Sequence, residues 1–317
     1  MRLVVQAKNG RGLRIISLLP SATEILFAIE AGDEVVGVTH ECDYPDEALR
    51  LPRLTASAGP DYAMPAEIDR HVRESLHQGS SLYSLDRGLL ERLRPDLIVT
   101  QELCPVCAVS YDVVDAAAKQ LRSDARIVSL EPSSLREVFD TILLLGRMTG
   151  HEAGAREVVA SLEARVAALA AARKRDAQRP RTLVLEWTDP PMSAGHWIPE
   201  LIELAGGEPV LANPGVDSKR LEWDAIAASD PDAVIVAPCG FDLPKTKAAI
   251  AELHGKPQWR SLRANRSGRV LALDGNAYLS RPGTRLVEAS EIIAEWYVGA
   301  QPMATLRRFR QHDRSRD

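Results

Sequence analysis

Arg14–Ile25 reads RIISLLPSATEI, and its pattern decides the fold class. RIISLL is a short, continuously apolar run, which is how a strand buried on both faces reads. The chain then turns at Pro20. Ser21 stands where a helix N-cap is expected, with Glu24 three residues on in capping-box position. The spacing predicts a helix over Ala22–Ala31, closed by Gly32. The same alternation of apolar run and helix continues through Glu34–Val38 (EVVGV), a helix over Asp86–Leu93, Pro95–Val99 (PDLIV), a helix over Tyr111–Leu121 and Arg126–Leu130 (RIVSL). It resumes with Thr182–Leu185, Ala233–Ala237 (AVIVA) and Arg269–Leu273 (RVLAL), with helices expected over His196–Ala205, Leu221–Ala228, Leu243–His254 and Gly283–Val298. The expected fold class is α/β: two doubly wound lobes joined by a long connector helix, with a ligand cleft between the lobes.

The connector is expected between the two alternating blocks. Leu135–Thr149, capped by Ser133 or Ser134, and Glu152–Arg175 carry helical periodicity, broken at Gly150 and free of proline until Pro180. This divides the chain into an N-terminal lobe at 14–133, connector helices at 134–178, a C-terminal lobe at 179–300 and a basic tail at 301–317. The tail holds five arginines after Ala304 and no core pattern. Leu51–Ser84, with Pro52, Pro60 and Pro65, reads as an excursion containing a helix over Pro65–His77.

The 317 residues are 45% hydrophobic and 26% charged, with a net charge of −5. That balance fits a globular domain pair and gives no case for a nucleic-acid partner. No apolar run approaches the roughly 18 residues of a membrane span. The first residues lack a continuous apolar signal region, so the sequence as it stands is expected to be cytoplasmic, or periplasmic if a different start or precursor exists. Four cysteines in a chain of this length do not form a disulfide framework.

Two loops at the carboxyl ends of expected strands carry most of the chemistry. Thr39–Pro45 (THECDYP) holds His40, Glu41, Cys42 and Asp43; Thr100–Ser110 (TQELCPVCAVS) holds Gln101, Glu102, Cys104 and Cys107. His40, Cys42, Cys104 and Cys107 have the donor set of a zinc or iron site, while buried thiols acting as small hydrophobes explain the same cysteines. A cytoplasmic metal-binding or thiol-dependent protein centred on these four residues is therefore the alternative function. The turn at Pro20 and Ser21 offers backbone N–H groups to a polar ligand. Trp187, His196, Trp197 and Phe241 supply flat apolar walls suited to a large rigid organic molecule. No nucleotide-binding or G-x-S-x-G sequence occurs, so the chain is expected not to be an enzyme.

Several blocks in order then resemble one family: IISLLPSATEI, VVGVTHECDYP, LRPDLIV, PPMSAG, LAGG and SDPDAVIV. They are similar to the cobalamin-binding proteins of ABC importers, in the helical-backbone class of periplasmic binding proteins. The resemblance implies a corrinoid or other metal chelate as ligand and an ABC permease as partner. It places Asp43, Tyr44, Pro191 and the segment holding Asn276, Tyr278 and Arg281 against the ligand. It also implies an acidic residue on each lobe for the permease: Asp224 in the second, and Asp86 or Glu91 in the first, where the matching position falls near Gly88.

Overall fold

The computed structural model of the protein describes residue 5 and residues 12–57, 64–77, 82–101, 125–173 and 178–299. The chain opens with β1 (Ile15–Ser17), α1 (Pro20–Ala28) and β2 (Val35–Val38). Next come β3 (Thr55–Ser57), α2 (Pro65–His77) and β4 (Tyr83–Leu85), with β3 and β4 pairing as an antiparallel ribbon. α3 (Arg87–Leu93), β5 (Leu97–Thr100) and β6 (Arg126–Ser129) complete the first lobe. Two helices follow, α4 (Leu135–Thr149) and α5 (Glu152–Ala172). The second lobe contains β7 (Arg181–Leu185), β8 (Trp187–Thr188), β9 (Pro191–Met192), α6 (Ile198–Leu204), β10 (Glu208–Pro209) and α7 (Trp223–Ser229). It ends with β11 (Ala233–Val236), α8 (Leu243–Leu253), α9 (Pro257–Ser261), α10 (Arg263–Arg266), β12 (Val270–Ala272), α11 (Gly275–Tyr278) and α12 (Leu286–Tyr297).

Each lobe is built on a four-stranded sheet, ordered β2-β1-β5-β6 in the first and β10-β7-β11-β12 in the second. All pairs in both sheets are parallel. The continuous apolar runs are the cause: Ile15, Ile16, Leu97, Ile98 and Val99 are inaccessible to solvent, as are Leu183, Leu185, Val234, Ile235 and Val236. Strands buried on both faces need helices on both sides. The strand order reverses direction at β1/β5 and at β7/β11. In an open parallel sheet that point leaves a crevice at the carboxyl ends, so each lobe has one.

The connector is two helices. Gly150 takes φ 81° and ends α4, and α5 runs on for 21 residues. Helix α5 packs on α1 of the first lobe and on α6 and α12 of the second. Gly154 lies directly against the Ile29 carbonyl, and Arg165 grips Glu291 of α12 with two bonds, Nε–Oε1 at 2.8 Å and Nη2–Oε2 at 2.6 Å. One apolar cluster runs without a break from Ile15 and Val99, through Ile142, Ala155 and Leu162, to Val184, Ile235 and Leu271.

Three local expectations are corrected. Ser21 is not the N-cap of α1: Leu19 is, Pro20 takes the first turn, and Glu24 closes no capping box. Proline's fixed φ and absent N–H suit that first position, so the helix starts earlier than the hydroxyl suggests. Glu30, not Gly32, takes the left-handed conformation after α1, at φ 69°. The helix expected from His196 begins at Ile198, because His196 itself sits at φ 48°. The expected Tyr111–Leu121 helix and the 301–317 tail lie outside the described residues. Among the described residues no helix is long and apolar enough to cross a membrane.

A Cβ at residue 154 would stand 2.7 Å from the Ile29 oxygen, a backbone atom that cannot swing away. Gly154→Ala is expected to lower stability by about 1–3 kcal/mol, read as an earlier urea midpoint with an unchanged slope.

Candidate ligand-binding cleft

The carboxyl ends of the two sheets face each other, because side chains from loops at both ends bond directly. Asn276 Nδ2 donates to Asp43 Oδ2 at 3.3 Å, and Arg281 Nη2 donates to the Glu41 carbonyl at 3.0 Å. Asp43 follows β2; Asn276 and Arg281 follow β12.

The centre of this contact is an ion cluster. Glu24 of α1 has only 1% of its side chain exposed and accepts from two arginines of the other lobe. Arg281 Nη1 reaches Glu24 Oε1 at 3.1 Å and also Asp43; its Nη2 reaches Asn276 Oδ1 at 2.9 Å. Arg285 Nε reaches Glu24 Oε2 at 2.8 Å, while its Nη2 bonds Oε1. Burial alone would lower the Arg281 pKa, but its bonds to Asp43 and Glu24 more than reverse that, and the guanidinium stays charged. Arg285 also lies 4.5 Å from the ring centroid of Tyr44 and 5.9 Å from that of Tyr278. Burial first, then the neighbouring Glu288 charge, pushes the Tyr278 hydroxyl up to about 12.

The second lobe's wall stands at its own switch point. Trp187, just past β7, meets Phe241, just past β11, edge to face at 5.3 Å between centroids. Phe241 is buried, so Trp187 is the ring that faces outward; its indole N–H is held by the Asp189 carbonyl at 3.1 Å. Pro191 is buried in the β8–β9 ribbon. His196 is half-buried, with Nε2 3.1 Å from Asp217 Oδ1. Trp197 is buried, and its N–H donates to the Leu279 carbonyl at 2.9 Å, so it fastens the Asn276–Arg281 segment from behind.

On the first lobe, Asp43 and Tyr44 are exposed, whereas Pro20, Ser21 and Gln101 are buried. Glu102, Cys104 and Cys107 lie outside the described residues. The proposed zinc or iron set finds no support: among the described residues no group of three or more His, Cys, Asp or Glu could hold a metal. Cys42 is buried, its sulfur is 3.0 Å from Thr23 Oγ1, and burial pushes its thiol up to about 11. The side chain belongs to the apolar core of the first lobe, where cysteine packs as a small hydrophobe. His40 turns Nδ1 to Thr55 Oγ1 at 2.7 Å, and burial, then Arg53, lowers its pKa.

Three contributors were not singled out from the sequence as site residues. Glu24 reads as a capping-box acid, Arg285 falls inside the helix expected over Gly283–Val298, and Glu186 is the first residue after the Thr182–Leu185 run. For Glu186 that position was the available signal: a carboxylate immediately behind four buried residues. It accepts from the Gly195 N–H at 3.2 Å and from the Ser218 hydroxyl, pinning the loop that borders Trp187. Burial raises its pKa from 4.5 to about 7.

The sequence profile of the periplasmic binding protein family matches residues 15–277, and the chain belongs to this family. It is 24% identical to the vitamin B12-binding protein of Vibrio cholerae over 306 residues, 93% of this chain and 92% of the relative. It is 26% identical to the cobalamin-binding protein of Halobacterium salinarum over 281 residues, 87% of this chain and 66% of the relative. Among solved structures, the periplasmic heme-binding protein RhuT from Roseiflexus sp. RS-1 superposes with a TM-score of 0.67 at 24% identity, covering 92% of this chain and all of that one (100%). At that identity the likeness speaks for the fold.

Glu186 sets a pH dependence with a definite sign. Between 4.5 and about 7 the folded protein keeps a proton that the unfolded chain has released, so stability falls as pH rises through that window. Glu186→Gln removes the effect. Its stability relative to wild type is expected to grow by an amount on the order of 3 kcal/mol between pH 4.5 and pH 7.5, measured by urea unfolding of both proteins across that range.

Proposed function

We propose that the cleft binds a corrinoid, cobalamin or a near relative, and that the protein is the substrate-binding component of an ABC uptake system working on the outer side of the cytoplasmic membrane. The observation that carries this reading is the pairing of two walls. Trp187 on one lobe and Tyr44 on the other are partly exposed aromatic rings set at the facing carboxyl ends of the sheets. At the same ends Asp43, Asn276 and Arg281 are joined by hydrogen bonds. A macrocycle with an apolar face and an amide-rich edge matches that combination of flat apolar and polar surface. The relatives named for vitamin B12 and cobalamin, which align along most of this chain, support the choice of ligand.

In this reading Asp43, Tyr44, Trp187, Pro191, His196, Asn276, Tyr278 and Arg281 line the ligand, with Gln101 directly after β5; Glu102 is a further proposed contact, outside the described residues. Pro20, Ser21, Trp197 and Phe241 support those residues from the buried side. Asp86, Glu91 and Asp224 are exposed and are the proposed permease contacts. Asp86 also caps α3 through the Leu89 N–H at 2.8 Å, and Asp224 accepts from Gln258 at 3.3 Å, so both carboxylates are held in place.

Titration of the purified protein with cyanocobalamin, followed by calorimetry and visible absorbance, is expected to show one-to-one binding. Trp187→Ala is expected to weaken it by about tenfold or more, the scale of removing a well-packed aromatic anchor. No heat and no spectral change at micromolar protein, with saturable binding of hemin instead, would replace the corrinoid with heme.

A further inference from the structure

The ion cluster has an inner half and an outer half. Asp43, on the outside, has 54% of its side chain exposed, whereas Glu24, on the inside, has 1%. The buried carboxylate takes both arginines of the opposite lobe, Arg285 in a two-bond fork. Fork geometry of this kind fixes direction as well as distance. Arg285 in turn carries the ring of Tyr44, a first-lobe residue, on its guanidinium face, with Tyr278 against the same cation. The chain of contacts therefore leaves the first lobe at Glu24, crosses to Arg285 and returns to the first lobe at Tyr44. A change in lobe angle separates Glu24 from Arg285 and moves the cation from beneath Tyr44 at once.

We propose that Glu24 is the positioning residue of the cleft. Through Arg281 and Arg285 it holds the lobes at one angle in the absence of ligand, and it seats the Tyr44 ring in advance as a wall for the ligand. The ligand-facing part rests on the corrinoid reading; the lobe-angle part does not. The apolar cluster that crosses from one sheet to the other acts in the same direction, since it too has one packed arrangement. A surface set before binding spares the ligand the ordering of loops and side chains. Glu24 touches no ligand in this scheme, and its effect passes entirely through the two arginines.

The test uses the full chain. Small-angle X-ray scattering without ligand compares wild type with Glu24→Gln, which keeps the shape of the side chain and loses the charge that pairs both guanidiniums. The expected result is a larger radius of gyration and maximum dimension for the variant. Cyanocobalamin affinity is then measured for Tyr44→Leu, Glu24→Gln and the double variant. Tyr44→Leu is expected to weaken binding by about tenfold in the wild-type background and by less than about threefold beside Glu24→Gln, the non-additivity of residues acting as one unit. A residue that serves stability alone would lower the melting temperature without moving either readout. Scattering that superimposes on wild type, or losses that simply add, overturns the proposal. If wild type binds no cyanocobalamin, the corrinoid reading fails and the scattering decides the lobe-angle claim alone. If circular dichroism shows Glu24→Gln unfolded, Arg285→Lys takes its place, because it keeps the charge and loses the fork and the flat stacking face.

Discussion

A carboxylate sealed between two guanidiniums of the opposite lobe is the interaction around which this molecule is arranged. Glu24 has almost no exposed surface and is the carboxylate that Arg281 and Arg285 share, while the more exposed Asp43 gives Arg281 a second partner. Removing a charge from water is costly, and only close, well-directed bonds repay it. The cost becomes a constraint: with Glu24 and Arg281 buried and Arg285 partly so, any arrangement that pulls the arginines away leaves the Glu24 charge unpaired in a dry site. Solvent salt screens such a cluster poorly. The facing of the two sheets, the seating of Tyr44 and the course of the Asn276–Arg281 segment all meet at this point.

Packing enforces the same geometry from the other side. Helix α5 lies against helices of both lobes, and the core that surrounds it is continuous. Two α/β units linked by a flexible tether would each close their own core. Here Ala155, Val159 and Leu162 of α5 belong to a cluster shared by both sheets. The periplasmic binding protein family, to which the chain belongs, thus has in this member a cleft whose two walls are set by one core and one ion cluster.

The thiol chemistry suggested by the loops gives way to packing at Cys42. A sulfur beside a threonine hydroxyl, away from solvent, with its pKa raised to about 11, is a space-filling group. His40, two residues earlier, spends one ring nitrogen on Thr55. Among the described residues, the cleft presents aromatic surface and hydrogen-bonding polarity. The half-buried Glu186 carboxylate acts on loop position, since its bonds run to Gly195 and Ser218.

The sequence by itself determined the architecture. Runs such as Ile15-Ile16 and Ala233–Val236 are apolar at consecutive positions, short and alternating with helical segments, a pattern that favours strands covered on both faces, so parallel sheets and their carboxyl-end loops were legible. The helix over Leu135–Thr149 and the break at Gly150 were legible for the same local reasons, periodicity and a left-handed glycine. The short β3–β4 ribbon and the β8–β9 pair were not, because two- or three-residue strands carry no period and exist through their partners. Nor were the roles of Glu24 and Arg285, which stand 261 positions apart and meet across the lobes. A local reading assigns Glu24 to the nearest unsatisfied group, the start of its own helix. The tertiary structure assigns it to two arginines, because once the sheets face each other a buried carboxylate must be matched by the charges that share its site.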